Sequence, residues 1–347
     1  MLAYLVRRVA WAGVLFFAIT MVTFILFFVL PVQRAQFVRR TEFESNDFKR
    51  ALAIDGPIYQ EYGEFVARIV RHGSLGASFD SRQDVNGIVA QAAPVTLSVV
   101  IGGAIVWMLI AIPVGVLSAV RPRSLLDRVT MVGVLIGISA HPLWIGLMLS
   151  YFVGYKWQLA PINGYCDLTY PATACGGPIQ WAYHLMLPWI TFAILFAALY
   201  VRMIRANVLD VLDEDYVRTA RAKGMSEWKV LRSHVLRNAF LPVITMLGMD
   251  IAVTLNAAVF VETVYGLPGL GRTAVRALQR QDLPTILGIV VWTTITILVL
   301  NLIVDLLYNW LDPRVRVVEP GSKRAAAPVA GAAAPPTSSS PVAAPTR

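Results

Sequence analysis

The sequence predicts an all-α integral membrane protein with six transmembrane helices and both termini on one side of the bilayer. Three observations carry this. The chain is 57% apolar and only 15% charged, whereas an ordinary soluble domain holds roughly 25% charged residues. Apolar runs recur along it, and a helix needs about 20 apolar residues to cross the ~30 Å hydrocarbon layer. The basic residues gather in short segments that fall on a common side when the runs are threaded in order.

The six runs are 9–30, 95–120, 129–155, 185–201, 239–261 and 283–304. The first follows Arg7 and Arg8 and mimics a secretory signal. It is longer than the usual apolar core of a signal, and no small-x-small cleavage pattern follows, so it reads as a retained span. The fourth run is short and extends past Arg202 if that side chain snorkels to the interface. Gly102, Gly103, Pro113, Gly137 and Pro142 fall within spans, where small residues and prolines suit close packing and kinks.

The segments "YLVRR", "RPRSLLDR" and "DPRVRV" fall on the same side as a charged stretch at 213–238. The positive-inside rule makes that side cytoplasmic. The opposite side receives three loops. Residues 31–92 include "FKRALAIDGPIYQEYGEFVARIV", with helical spacing on both sides of Gly56-Pro57. Residues 156–184 hold both cysteines, Cys166 and Cys175. A disulfide between them and two unpaired surface thiols both remain open at this point. Residues 262–282 turn at Pro268-Gly269, then suit a short surface helix at 273–279. The Ala-, Pro- and Ser-rich tail after Glu319 lacks apolar anchors and is expected to be disordered.

The net charge of +9 follows from basic cytoplasmic loops, and no base-stacking motif accompanies it. Nucleic acid is therefore not an expected partner. No P-loop, zinc-protease or nucleophile-elbow pattern occurs, so neither nucleotide binding nor hydrolysis is expected of this chain. Nor is there a CxxC or Cys/His cluster to suggest a metal.

Polar residues inside the spans are the candidates for a translocation path. His141, next to Pro142, suits either a relay or a packing histidine that donates to a carbonyl freed by a kink. An ionised Asp250 facing lipid would cost about 2.5–3.5 kcal/mol, so it should face the protein interior or a water-filled cavity. Path lining and an interhelical hydrogen bond are equally good readings. Asn256 lies off the stripe of Asp250. Asn301 and Asp305 read as a packed pair.

The stretch 213–238, "DEDYVRTARAKGMSEWKVLRSHVLRN", is the most charged part of the chain. Acids precede Tyr216, basic residues Arg218, Arg221 and Lys223 follow, and Gly224 supplies a stop. Ser226 can cap a second helix with Glu227 in its first turn. The expected form is two short helices around a glycine. Such a hairpin either lies on the membrane as a solvated amphipath or forms a knob that docks into another protein.

"YVRTARAKG" resembles the signature loop of ABC importer permeases, whose general form is EAA, three residues, Gly, nine residues, then Ile-x-Leu-Pro. Aligned on Gly224, the EAA positions hold Arg218, Thr219 and Ala220, with Arg221, Ala222 and Lys223 between them and the glycine. The later positions hold His234, Leu236 and Arg237. The Glu and the Pro of the general pattern are absent. "RTARAKG" with "LRNAFLP" is similar to the B-type permeases of dipeptide, oligopeptide and nickel importers. "YLVRRV", "GSLGAS", "APVTLSV", "HPLWIG", "VET" before "PGLG", and "NLIVDLLYNWLDPRVR" are similar to the same branch. After Leu30-Pro31 the branch's usual Gly-Asp-Pro is replaced by Val-Gln-Arg.

The resemblance implies a type I importer permease fold. Residues 1–92 would be a first helix with a long external loop, 93–311 the permease domain with a coupling loop at 210–238, and 312–347 a cytoplasmic tail. It implies a non-catalytic subunit that imports peptides or a related solute such as nickel. The implied partners are a second permease, two cytoplasmic ATPases that bind ATP and magnesium, and an external solute-binding protein. Tyr216, Arg218, Thr219, Ala220, Arg221, Ala222, Lys223, Gly224, Ser226 and Glu227 would contact an ATPase. A proton-coupled secondary transporter using Asp250 and His141 is the competing reading.

Overall fold

The computed structural model describes residues 2–28, 58–168, 175–280 and 282–311. The segment 29–57, with the first half of the helical stretch before Gly56-Pro57, and the tail from 312 lie outside the described residues, as does the side chain of Asp305.

Among the described residues the protein is helical, with only two isolated β-bridges. The helices are α1 (Leu2–Phe28), α2 (Ile58–His72), α3 (Val85–Val120), α4 (Leu125–Ser139), α5 (Pro142–Leu149), α6 (Pro178–Leu212), α7 (Asp215–Ala222), α8 (Glu227–Val230), α9 (Leu236–Val264), α10 (Leu270–Arg280) and α11 (Leu283–Leu311). Wide turns at Ser150–Lys156 and Leu231–Val235 continue α5 and join α8 to α9.

Five stretches are long and apolar enough to cross a membrane, or six when a bent pair is counted as one span. That pair corrects the expected single span at 129–155. The chain breaks between Ser139 and Pro142, and the two arms meet at 104°. The physical cause is in the sequence. Proline has no N–H to donate and forces the preceding residue out of helical geometry. His141 accordingly takes extended angles and Pro142 occupies the first turn of α5.

Several spans are longer than the apolar runs. α3 begins at Val85, ten residues before the expected start, and α6 covers 35 residues. At 1.5 Å per residue α6 is roughly 52 Å long, well beyond the ~30 Å hydrocarbon layer. The expected run 185–201 lies in its middle. Beyond it α6 continues from Arg202 to Leu212, carrying whatever follows roughly 15 Å past the apolar zone.

α3 and α6 form the centre. Gly103 rests on Phe192 and Gly115 on Ile204, so the two helices run parallel with their backbones close. Fully buried Trp107 stacks on Phe196 with ring centroids 4.6 Å apart. Small residues provide this close approach where lipid offers no hydrophobic drive between helices. α4 runs antiparallel to α6, with Gly137 against Ala198 near one end and Asp127 on Arg205 near the other. α9 and α11 cross with Gly248 against Val304. These contacts put the start of α1, the 121–124 turn, the α7–α8 hairpin and the end of α11 at one end of the bundle.

The opposite end is held by two buried carboxylates. Glu262, completely buried, accepts hydrogen bonds from Thr96 Oγ1 at 2.6 Å and from the Arg272 backbone N–H at 3.0 Å. Its carboxylate therefore caps α10, and Gly269 leaves the room it occupies. Asp282 accepts from Ser78 Oγ at 2.5 Å, the Phe79 N–H at 2.9 Å and Thr285 Oγ1 at 2.7 Å. α10 is longer than the expected 273–279 and lies at this end.

Candidate functional site

α7 packs one face onto the bundle. Val217 is fully buried and Ala220 nearly so, three residues apart on one side of the helix. They join Val208 of α6, Val230 of α8, and Val235 and Ala239 around the start of α9 in the main apolar core. The opposite face is exposed. It carries Tyr216, Arg218, Thr219, Arg221, Ala222 and Lys223.

The stop after α7 is a Schellman turn. The Gly224 N–H bonds the Arg221 carbonyl at 2.9 Å and the Met225 N–H reaches the Ala220 carbonyl at 3.4 Å. This arrangement needs a left-handed residue after the helix, and Gly224 has φ +78°. No atom lies within 4 Å of where its side chain would start. The glycine is required by backbone angle, and the space beside it is open.

Ser226 takes the expected N-cap position of α8, but its hydroxyl makes no capping hydrogen bond. The cap is made by backbone alone, with the Val230 N–H on the Ser226 carbonyl at 3.0 Å. Glu227 instead reaches back across the turn. Arg221 Nε donates to its Oε1 at 3.0 Å and Nη2 to its Oε2 at 3.3 Å. Both groups are exposed, so this pair contributes at most about 1 kcal/mol. It still closes the hairpin, joining α7 to α8. Asn238 Nδ2 donates to Tyr216 Oη at 2.8 Å, which ties α7 to the first turn of α9.

One expectation is corrected. The second helix of the hairpin is not a separate short element. From Glu227 to Val264 the chain is helical throughout, 38 residues, with the wide turn at Leu231–Val235 inside it. No flexible linker separates the hairpin from the span that follows. Within the hairpin α7 is the separate short helix, held between the ends of α6 and α9. Asn207 of α6 strengthens that frame by donating to the Ala239 carbonyl at 3.3 Å.

A second polar cluster lies at the same end. Asp127 is buried and accepts from Arg205 Nε at 2.7 Å and Nη2 at 3.0 Å, from Ser118 Oγ at 2.5 Å and from the Arg123 N–H at 2.9 Å. It fastens the α3–α4 turn to α6. Ser124 caps α4 through the Asp127 N–H at 3.2 Å. The sequence carried one signal of this cluster, an acid four residues after the basic pair in "RPRSLLD". The partner Arg205, 78 residues further on, had none.

The path candidates do not come together. Asp250 accepts from Tyr200 Oη at 2.7 Å, an interhelical hydrogen bond between α9 and α6. Tyr200 is itself buried against Trp107. His141 sits at the break between α4 and α5, with its Nδ1 accepting from the Leu143 N–H at 3.2 Å. It thus caps α5 as an acceptor, whereas the packing role weighed beside a relay had it donating to a freed carbonyl. Its ring meets Phe260 edge-on at 5.4 Å. Pro142 is buried behind it. Asn256 bonds the Ala252 carbonyl of its own helix at 3.3 Å and is exposed. Among the described residues no hydrogen bond links His141 to Asp250.

Cys166 and Cys175 are bonded, with Cα atoms 5.2 Å apart. Cys166 also contacts His184 Nδ1 at 3.2 Å, and that nitrogen lies 2.9 Å from the Gln180 carbonyl.

Two family models match the chain. The inner-membrane component of binding-protein-dependent transport systems matches residues 111–317, and the N-terminal part of the same kind of component matches 1–100. The dipeptide transport system permease protein DppB of Escherichia coli K12 is 34% identical, over 91% of this chain and 99% of that protein. The di/tripeptide permease DppB of Pseudomonas aeruginosa UCBPP-PA14 is 33% identical over 91% and 99%. The probable D,D-dipeptide permease DdpB of E. coli K12 is 33% identical over 90% and 97%. Inward-facing structures of the MetNI methionine ABC transporter share the fold, with a TM-score of 0.52 at 16% identity, covering 65% of this chain and 96% of the other. An amino acid ABC transporter crystallised with histidines gives 0.50 at 15% identity, covering 65% and 94%. With both family models placed along it and relatives matched nearly end to end, the chain belongs to the binding-protein-dependent transport system inner-membrane components.

Proposed function

We propose that this protein is one permease subunit of an ATP-driven importer in a bacterial inner membrane and that its cargo is a short peptide. The observation that carries the reading is the hairpin. It has an exposed polar face, a buried apolar face, and a rigid frame running straight into two long helices. A partner that grips the exposed face moves α6 and α9 with it. A solvated amphipath on the lipid surface would need its apolar face free for the bilayer, whereas Val217 and Ala220 spend that face on the protein core.

Two cytoplasmic ATPases would bind ATP and magnesium, and each would receive one such hairpin. A second permease would complete the pathway, and an external binding protein would deliver the solute. This chain would carry out no hydrolysis itself. The hairpin end, with Arg7, Arg8, Arg121, Arg123 and the basic residues of α7 and α8, would face the cytoplasm under the positive-inside rule. The disulfide loop and α10 would then face outward. The division into 1–92, 93–311 and 312–347 is retained as the working domain plan. Peptide is favoured over nickel because the relatives compared are named for dipeptide and tripeptide transport.

The proton-coupled alternative needs Asp250 and His141 to act together. Each is instead committed to a structural hydrogen bond.

The test is a mild-detergent pull-down from native membranes with a tag after Arg347. A second permease and P-loop ATPases in the eluate would support the reading. A chain that emerges alone and carries solute into vesicles without ATP would overturn it.

A further inference from the structure

α1 and α11 pack antiparallel. Phe24 meets Leu287 at one end, with Tyr62 and Phe65 of α2 against them. Toward the hairpin end a groove of about 550 Å³ lies between the two helices. Its walls are apolar, from Ala12 and Leu15 on α1 and Leu298, Val299 and Leu302 on α11. Arg7 and Arg8 stand at its mouth, with Trp11 and Asn301 beside them.

The depth of each group in the bilayer follows from helix geometry. Roughly 24 Å of α1 separates Arg8 from Phe24, close to the ~30 Å hydrocarbon layer. The two arginines therefore lie at headgroup level when Phe24 lies near the other face. Trp11, 62% exposed, is the residue type that settles at that boundary. The groove below it opens to lipid, since Leu15 and Val299 are about half exposed. A site with two guanidiniums and an amide at headgroup depth, above a slot lined by methyl groups, has the chemistry of one molecule. That molecule has an anionic phosphodiester head and a hydrocarbon tail.

We propose that the α1–α11 groove binds an anionic phospholipid of the leaflet at the hairpin end. Arg7 and Arg8 hold the phosphate, and an acyl chain lies between Leu15 and Val299. Arg8 has another interaction within the chain, and a guanidinium with five N–H donors serves two partners at once. A general attraction of basic residues for an anionic surface would need the charges alone. The slot adds a shape, and that difference is testable.

The full chain, purified with whatever subunits accompany it, is reconstituted in equal parts of phosphatidylcholine and phosphatidylglycerol. It is then extracted gently, and retained lipid is read by native mass spectrometry. One phosphatidylglycerol should be retained in preference to phosphatidylcholine. Arg7→Gln with Arg8→Gln should lower that preference by roughly 30-fold, about fivefold per arginine. Arg7→Lys with Arg8→Lys should keep most of it. Val299→Trp fills the slot at an exposed position and leaves the charges intact, and it should also remove the retained lipid. Three outcomes would overturn the proposal. They are equal retention of both lipids, an anionic preference that survives Val299→Trp, and a second permease found covering the groove with no lipid retained.

Discussion

Gly224 offers the sharpest test of the hairpin because its role separates into two causes that rank substitutions differently. Its φ of +78° lies in the left-handed region, which costs a residue with a β-carbon roughly 1–2 kcal/mol. Asn tolerates that region best after glycine, Ala worse, and a β-branched residue worst. The added β-carbon meets nothing within 4 Å, so within this chain the cost is backbone strain alone. If strain governs, Gly224→Asn should lose a few tenths of a kcal/mol, Gly224→Ala about 1 and Gly224→Val about 2. Since about 1.4 kcal/mol is a factor of ten, Val should lower the equilibrium constant for forming the turn by more than tenfold. ATP-driven uptake of a labelled dipeptide into proteoliposomes of the complete importer would read the loss, with surface labelling to confirm insertion. If the open space at Gly224 is filled by a docked ATPase, side-chain size governs and Ala should outperform Asn. Full uptake by both Gly224→Val and Gly224→Glu would refute any role for this turn in coupling.

Four further perturbations bear on the scaffold. Tyr200→Phe removes the donor to Asp250 and should cost about 1–3 kcal/mol, seen as a lower melting temperature in detergent; an unchanged melt would return Asp250 to the list of path residues. Arg205→Ala leaves Asp127 buried without its cation. It should cost about 3 kcal/mol, the low end for a buried pair because the Arg205 side chain is partly exposed. Asp127→Asn made together with it should recover part of the loss, and a purely additive double mutant would show that the pair is not coupled. Glu262→Ala removes the acceptor for Thr96 and the first turn of α10; protease should then cut near α10 at concentrations the parent resists. Finally, Cys166 and Cys175 should resist an impermeant maleimide in intact cells until an impermeant reductant is added. Labelling without reductant would refute the bond, and labelling only in inverted vesicles would reverse the orientation.

The sequence determined much of this protein. Five of the six apolar runs form single helices long enough to cross a membrane, because an unpaired backbone group in lipid has no partner but its own helix. The charged stretch at 213–238 was legible for the opposite reason. Charges are costly in hydrocarbon, so a cluster of them marks a place where the chain has left the bilayer. Gly224 as a stop was also legible, because the left-handed turn that ends a helix selects glycine locally.

What the tertiary structure decided were the pairings over distance. Asp127 finds Arg205, Asp250 finds Tyr200 and Glu262 finds Thr96 across separations of 78, 50 and 166 residues. No local pattern encodes such a partner, since each depends on how helices rotate and slide as small residues let them approach. The same holds for the ends of the helices. Hydropathy stops where apolar residues stop, but α6 and the α8–α9 segment run on through polar sequence because their neighbours supply packing. That extension carries the hairpin beyond the apolar runs and joins it to the bundle without a hinge.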